Sequence, residues 1–217
     1  MDLLTFARGP AMQWSVAIFF LGVLWRLFGV FFLRRKKDYS KPRSTRAWWG
    51  ALKGQIVHLW PYKEFRPKVV QNYILGYIFH IGLAIVVFFF VPHILFIKNI
   101  IGVGWGGLPN TFIYITGAVT VAALVAMLVK RISNPVTRLL SNFDDYFSWF
   151  VTIAPVVTGL MAVAHFGARY EHLLAIHILS FELLLVWFPF SKLMHTFFFV
   201  VSRGTTGALF ERRGTSA

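Results

Sequence analysis

Four histidines in apolar surroundings carry the chemistry that this sequence offers. His177 and His195 enclose the stretch HILSFELLLVWFPFSKLMH and lie 18 residues apart, which is five whole turns of a helix. Their rings would leave one helix on the same face, about 27 Å apart along its axis, close to the thickness of a membrane's hydrocarbon layer. His80 and His93 lie in another apolar stretch, FHIGLAIVVFFFVPHILF.

If these two stretches cross a membrane in opposite directions, the histidines form two level pairs. The inner pair is His80 with His195, and the outer pair is His93 with His177. Two neutral imidazoles on facing helices can supply both axial ligands of a haem iron, which favours electron transfer because no iron position stays open. The alternative is core histidines bonded to backbone or other polar groups. The repeated pairing favours two haems, with all four residues as iron ligands.

His93 fits this scheme less simply than the other three. Thirteen residues separate it from His80, which turns the two rings about 140° apart on an ideal helix. Pro92 directly precedes His93 and removes a helix hydrogen bond. We therefore expect a kink or rewinding at Pro92 that turns His93 toward His177.

Other polar residues near the apolar stretches are candidates for further roles. Arg26 would either neutralise a propionate of the inner haem or extend to the cytoplasmic interface. Glu182 lies within a span and needs a partner or a proton, which suggests proton handling or a quinone site. Asp144 and Asp145 start an apolar stretch, where capping of a helix N-terminus is the simplest interpretation.

The remaining histidines are less specific. His165 and His172, with Arg169 nearby, would lie at the outer end of two spans, where they contact a quinone head group or a haem propionate or only occupy the interface. His172 is also the substitute ligand if His177 does not serve. His58 is interpreted as a surface residue.

The bulk composition indicates an integral membrane protein. Of 217 residues, 57% are hydrophobic and 14% are charged, and the mean hydropathy is +0.65. This length allows five or six spans of about 20 residues and leaves no room for a soluble catalytic domain. Cysteine is absent, which excludes disulfides, Cys-ligated iron–sulfur clusters and cysteine nucleophiles. The first apolar stretch is expected to be a retained helix rather than a signal peptide.

We predict an all-α, five-helix membrane bundle in a single domain. An alternation typical of a barrel is absent. The predicted spans cover residues 12–33, 72–97, 110–129, 146–166 and 172–200. An aromatic and basic segment, residues 45–66, is too polar to cross and indicates an interfacial segment in contact with lipid. The Gly-rich loop GVGWGGLPN is interpreted as a turn.

The distribution of basic residues predicts the orientation. The net charge is +14, but the basic residues lie in short segments between apolar stretches, which argues against nucleic acid as a partner. Eighteen of the 22 Lys and Arg residues would lie on one side of the membrane and three on the other. This asymmetry predicts an N-terminus outside and a C-terminus in the cytoplasm.

The chain resembles the gamma subunit of respiratory nitrate reductase. The resemblance rests on FFLGVLWR in the first span, FHIG in the second, KRISNPVTR before the acidic start of the fourth, and FPFSKLMH closing the fifth. The wider family includes haem b membrane subunits linked to dissimilatory sulfite reductase, similar to heterodisulfide reductase, or belonging to membrane-bound hydrogenases. The VPHILF turn and the short length look more like these relatives.

The resemblance implies a subunit with two b haems in the inner membrane of a prokaryote. It implies electron exchange between membrane quinone and an iron–sulfur subunit, with a peripheral catalytic subunit at the cytoplasmic face. His80, His177 and His195 match the family's ligands, whereas the family's outer ligand in the second span falls at Phe90. Either the ligand has moved to His93, or the outer haem is altered or missing.

Two other function classes compete with this expectation. One is a proton or ion transporter that uses the histidines and Glu182; the other is a haem-free membrane anchor for a soluble enzyme. A transporter would be expected to show paired repeats with broken helices, and the sequence has no convincing internal repeat.

Overall fold

The computed structural model describes residues 1–33 and 38–215 and consists of helices joined by turns and loops, without strands in that part of the chain. Five helices are long and apolar enough to cross a membrane, which confirms the predicted all-α, five-span architecture. The helices are α1 (Leu3–Phe32), α2 (Ala47–Val57), α3 (Arg66–Phe89), α4 (Val91–Ile101), α5 (Asn110–Ser133), α6 (Pro135–Leu140), α7 (Phe143–Ala164), α8 (Tyr170–Trp187) and α9 (His195–Arg213).

The five spans are α1, α3, α5, α7 and α8. They pack in the spatial order α1, α8, α7, α5, α3. Two indole groups tie neighbours together: Trp187 donates to the Ser148 hydroxyl across α8 and α7 (3.0 Å), and Trp149 donates to the Leu124 carbonyl across α7 and α5 (2.8 Å). Within the described residues, α3 and α8 share no comparable interface, so the arc of spans leaves a gap between them.

The fifth span does not continue into the last helix. A 3-10 turn, Phe188–Phe190, follows α8, and Ser191 then adopts an extended conformation before α9 begins at His195. The prediction that His177 and His195 share one continuous helix is therefore wrong. Pro189 has no N–H to offer the helix, and the Ser191 hydroxyl instead accepts a bond from the Leu193 amide (3.2 Å).

Helix α2 packs closely against α9 through glycines. A β-carbon at Gly50 or Gly54 would collide with the backbone of α9, and a β-carbon at Gly207 would collide with the Gly50 carbonyl. Small residues of this kind let two helices approach closely. The opposite face of α2 exposes large apolar side chains, namely Trp48, Trp49, Leu52 and Ile56.

The contact between α2 and α9 makes a cross-linking test direct. The β-carbon of Ala51 lies 4.0 Å from an ideal β-carbon built on Gly204, within the range of about 3.5–4.5 Å that a disulfide requires. We expect the double variant A51C/G204C to form a disulfide under mild oxidation. Because the natural chain has no cysteine, mass spectrometry will report this bond alone.

The matched control is L52C/G204C, since Leu52 is exposed on the other face of α2. Efficient cross-linking of the control with none in A51C/G204C would contradict the observed packing.

Candidate functional site

The structure brings together both histidine pairs that the sequence singled out. In the inner pair, the rings of His80 on α3 and His195 at the start of α9 have centroids 6.2 Å apart, with an interplanar angle of 81°. In the outer pair, the rings of His93 on α4 and His177 on α8 have centroids 6.0 Å apart and planes 16° apart. The two pairs therefore link α3 and α4 on one side of the gap to α8 and α9 on the other.

In all four histidines, Nδ1 contacts a backbone carbonyl oxygen. The bonds run from His80 to Gly76 (2.7 Å), from His195 to Lys192 (2.8 Å), from His177 to Pro155 (2.9 Å) and from His93 to Val86 (3.0 Å). A carbonyl oxygen only accepts, so each Nδ1 must carry the proton and donate. Each neutral ring then keeps a lone pair on Nε2, the form in which histidine binds a metal.

The spacing of the rings fits two imidazoles on opposite sides of one metal ion. A bond of about 2.0 Å from a metal to an imidazole nitrogen, with about 1.1 Å from that atom to the ring centre given ring bonds near 1.3 Å, places opposed centroids about 6.2 Å apart. The observed separations are 6.2 and 6.0 Å.

The histidines occur as pairs rather than in larger clusters. Within residues 1–33 and 38–215, three or more His, Asp or Glu side chains do not gather in a group that could hold a metal ion. A metal held by either pair would thus need its other ligands from a bound group. A porphyrin, which supplies four nitrogens in one plane and leaves two axial positions, matches this donor set.

A break in the backbone orients His93. The expected distortion is present, but it lies at Phe90, where ψ is 123°, two residues before Pro92. Three carbonyls beside the break find donors from outside the helix. Val86 accepts from His93 Nδ1 (3.0 Å), Phe88 from Trp105 Nε1 (2.6 Å) and Phe89 from the Leu108 amide (3.0 Å). The GVGWGGLPN loop thus closes over the break.

Helix α7 provides the seat for His177. A β-carbon at Gly159 would lie 3.1 Å from Cε1 of His177, so the absence of a side chain there leaves room for the ring. The Pro155 carbonyl accepts from its Nδ1, and the Thr158 hydroxyl lies 3.4 Å from the same nitrogen. Gly159 and Pro155 were not identified from the sequence, because neither residue type signals a ring that packs against it from another helix.

Arg26 lies beside the inner pair. It lines a cavity of about 430 Å³ together with His195, and its guanidinium lies 5.8 Å from the centre of the Phe198 ring. The other residues that line this cavity are Ser191, Lys192, Met194, Phe199 and Ser202. A cation at this position is suitably placed to face an anionic group bound next to His195.

The polar residues near the start of α8 are exposed. Arg169 and His172 lie at its first turn, and Arg169 is 3.8 Å from the Glu171 carboxylate. His165 ends α7 in the left-handed conformation (φ 51°), with its ring 5.4 Å from the Tyr170 ring. These side chains form a polar rim at the end of the bundle that carries the outer pair.

Glu182 is separate from this rim. Its side chain is buried, and Oε1 has no hydrogen-bond partner in the described part of the chain. Ten residues of continuous helix separate it from His172, about 15 Å along the axis. The structure therefore does not bring Glu182, His172 and Arg169 into one site. His58 lies apart from all of these in the turn after α2, where its Nδ1 contacts the Gly54 carbonyl (2.7 Å).

Asp144 and Asp145 do more than cap α7. Asp145 completes a capping box with Asn142, in agreement with the predicted capping role. Both carboxylates also contact Lys192, between α8 and α9, which the sequence analysis did not identify. The only sequence signal for these contacts is the opposite charge of KRISNPVTR and FPFSKLMH on one hand and FDD on the other. Only the fold brings these three segments close together.

Comparison with known proteins places the chain in a family. It is 30% identical over 207 residues to a protein of Nitratidesulfovibrio vulgaris, which covers 93% of this chain and 91% of that protein. The chain belongs to the same family as this protein. It is also 22% identical over 242 residues to the Hdr-like menaquinol oxidoreductase cytochrome b-like subunit of Archaeoglobus fulgidus, which covers 83% of this chain and 73% of that subunit.

No family model matches the chain, and no solved structure matches it. The similarity to the Archaeoglobus subunit and the five apolar spans together support a multi-pass, cytochrome b-like membrane subunit.

The close packing of the His177 ring against Gly159 predicts how a substitution at Gly159 changes the stability of the protein. We expect Gly159→Ala to destabilise the protein by about 1–3 kcal/mol, the usual result of overpacking, because the new methyl group presses on the imidazole. Gly29→Ala is the matched control, since a β-carbon there meets nothing within 4 Å. Unfolding in mixed detergent and SDS micelles measures both, and equal stability of the two variants would contradict the tight seat.

Proposed function

We propose that this protein is a dihaem cytochrome b subunit that exchanges electrons between membrane quinone and a cytoplasmic iron–sulfur partner. The observation that carries the proposal is the geometry of the two histidine pairs. Each pair has a centroid separation of 6.0–6.2 Å and Nδ1 hydrogen bonds to backbone carbonyls. The resemblance of the chain to the nitrate reductase gamma subunit supports the proposal.

Each pair would hold one haem b. His80 and His195 would hold the iron of the inner haem, and His93 and His177 would hold the iron of the outer haem. When bound, a bis-histidine haem supplies reversible one-electron transfer without an open iron position. In the neutral rings, the four backbone carbonyls hold the proton on Nδ1 and leave the lone pair on Nε2, and Arg26 is positioned to neutralise a propionate of the inner haem.

The quinone would be handled near the outer pair. The exposed rim formed by Arg169 and His172, with His165 close to the Tyr170 ring, offers donors to a quinone head group at the end of the bundle. The Archaeoglobus relative is named a menaquinol oxidoreductase subunit, which favours menaquinol as the partner molecule. Quinol oxidation at this end would release protons outside.

The partners would dock at the cytoplasmic face. The orientation inferred from the basic residues places α2 and α9, beside the inner pair, on that face of a prokaryotic inner membrane. An iron–sulfur subunit there could exchange electrons with the inner haem, and a peripheral catalytic subunit would complete the complex. The Hdr-like name of the Archaeoglobus relative supports such a multi-subunit assembly.

A haem assay tests the proposal. The purified chain should contain about two haem b per polypeptide, and dithionite should produce reduced b-type bands, because each pair supplies two axial ligands. His195→Ala should lower the content to about one haem per chain. His58→Ala is the matched control. The His58 ring also contacts a backbone carbonyl through Nδ1, but His58 belongs to neither histidine pair, so this variant should retain both haems.

A wild-type chain without a haem spectrum would refute the proposed function. It would leave a transporter centred on the buried Glu182, or a passive anchor, as the remaining candidates.

The proposed orientation can be tested with single cysteines. Because the natural chain has no cysteine, Lys98→Cys and Lys53→Cys each introduce one thiol. A membrane-impermeant maleimide applied to intact cells should label position 98 outside and label position 53 only after permeabilisation. The reverse labelling pattern would overturn the orientation.

A further inference from the structure

The segment that presents His195 lies outside regular helix. Between the end of α8 and the start of α9, the chain forms the turn Phe188–Phe190, the extended Ser191 and the turn Lys192–Met194. His195 is the first residue of α9, so no preceding α-helical turn holds its backbone. The orientation of its ring therefore depends on what holds this junction.

Lys192 forms hydrogen bonds through both its backbone and its side chain. Its backbone amide donates to Asp144 Oδ2 (3.1 Å), and its ammonium group donates to Asp145 Oδ2 (2.6 Å). Its carbonyl oxygen accepts the bond from His195 Nδ1 (2.8 Å). The carbonyl group that sets the tautomer of His195 thus belongs to Lys192, which forms hydrogen bonds with two carboxylates of α7.

The two carboxylates are themselves well anchored. Asp145 has a side chain that is only 7% exposed, and it also contacts the Arg131 guanidinium of α5 (3.1 Å). Asp144 accepts from the Ser148 hydroxyl (2.7 Å), which in turn accepts from the Trp187 indole of α8 (3.0 Å). Three spans, α5, α7 and α8, therefore converge on the junction.

We propose that Asp144, Asp145 and Lys192 form a clamp that positions the His195 imidazole for axial ligation. The three are positioning residues, because they act on the ring through the Lys192 carbonyl. This inference rests on the proposed function, since it concerns the hold on the inner haem. Groups that orient a metal-binding histidine commonly contribute about 10- to 100-fold to metal affinity.

The same contacts explain why the clamp uses charges. The Asp145 carboxylate is nearly buried, so removing one of its cationic partners leaves a charge without full compensation, which is strongly unfavourable. An aspartate that also caps α7 cannot move toward water without losing the cap. The junction is therefore tied to the capped N-terminus of α7.

The test compares Lys192→Met with Lys130→Met in the full-length protein. Lys130 is a matched control because it makes one exposed hydrogen bond, to the Gln71 side chain (2.8 Å), and none to the two aspartates. Transfer of haem to excess apomyoglobin measures release from each site, with the outer haem as an internal control for folding. Lys192→Met should release the inner haem about tenfold faster and leave the outer rate unchanged.

Lys192→Arg, which keeps the charge, should restore slow release, and Asp145→Asn should release the inner haem faster, like Lys192→Met. In the ferric state, the low-spin electron paramagnetic resonance signal of the inner haem should shift in Lys192→Met but not in Lys130→Met. Unchanged inner-haem release in Lys192→Met and Asp145→Asn would overturn the clamp. Equal acceleration at both haems would overturn it as well, since the residues would then support the whole fold rather than His195.

A measurement that needs no haem separates this inference from the proposed function. Spin labels on N72C and T196C report the distance between α3 and the start of α9. Lys192→Met should broaden this distance distribution, whereas Lys130→Met should not. If the chain binds no haem but Lys192→Met still broadens the distribution, the proposed function is refuted and the clamp is supported. Unchanged widths in Lys192→Met would overturn the clamp itself.

Discussion

The hydrogen bond from an imidazole Nδ1 to a backbone carbonyl is the interaction on which the rest of this structure depends. It occurs at all four histidines of the two pairs, and in the neutral ring it places the proton on Nδ1 and the lone pair on Nε2. A carbonyl cannot act as a donor, so the tautomer is determined by the backbone rather than by a titratable neighbour. The free Nε2 lone pairs are thereby suited to bind a metal.

Two of these carbonyls are available because the helices are interrupted. Helix α3 stops at Phe89, which allows the Val86 carbonyl to receive the His93 ring seven residues later. The Lys192 carbonyl lies in the junction between α8 and α9. In hydrocarbon, an interrupted helix leaves polar backbone groups that must be satisfied, and here side chains and a loop satisfy several of them.

The packing of the spans determines where the pairs face each other. The order α1, α8, α7, α5, α3 leaves a gap between α3 and α8, and the histidine pairs join α3 to α9 and α4 to α8 across it. Gly159 contributes because it has no side chain, since any side chain there would press on the His177 ring. The site is thus shaped by residues without chemistry of their own as much as by the histidines.

Apolar length and composition determined the class of the protein, its five spans and the four histidines that pair, because burial in lipid demands long runs of apolar residues and makes each polar exception informative. Periodicity alone could not place the breaks at Phe90 and Ser191, and it predicted a continuous helix where Pro189 and the cap at Ser191 end one. The seat at Gly159 and the contact of Lys192 with two aspartates depended on tertiary structure alone. These contacts join residues that are far apart in the chain, and only the packing of separate helices brings them within reach.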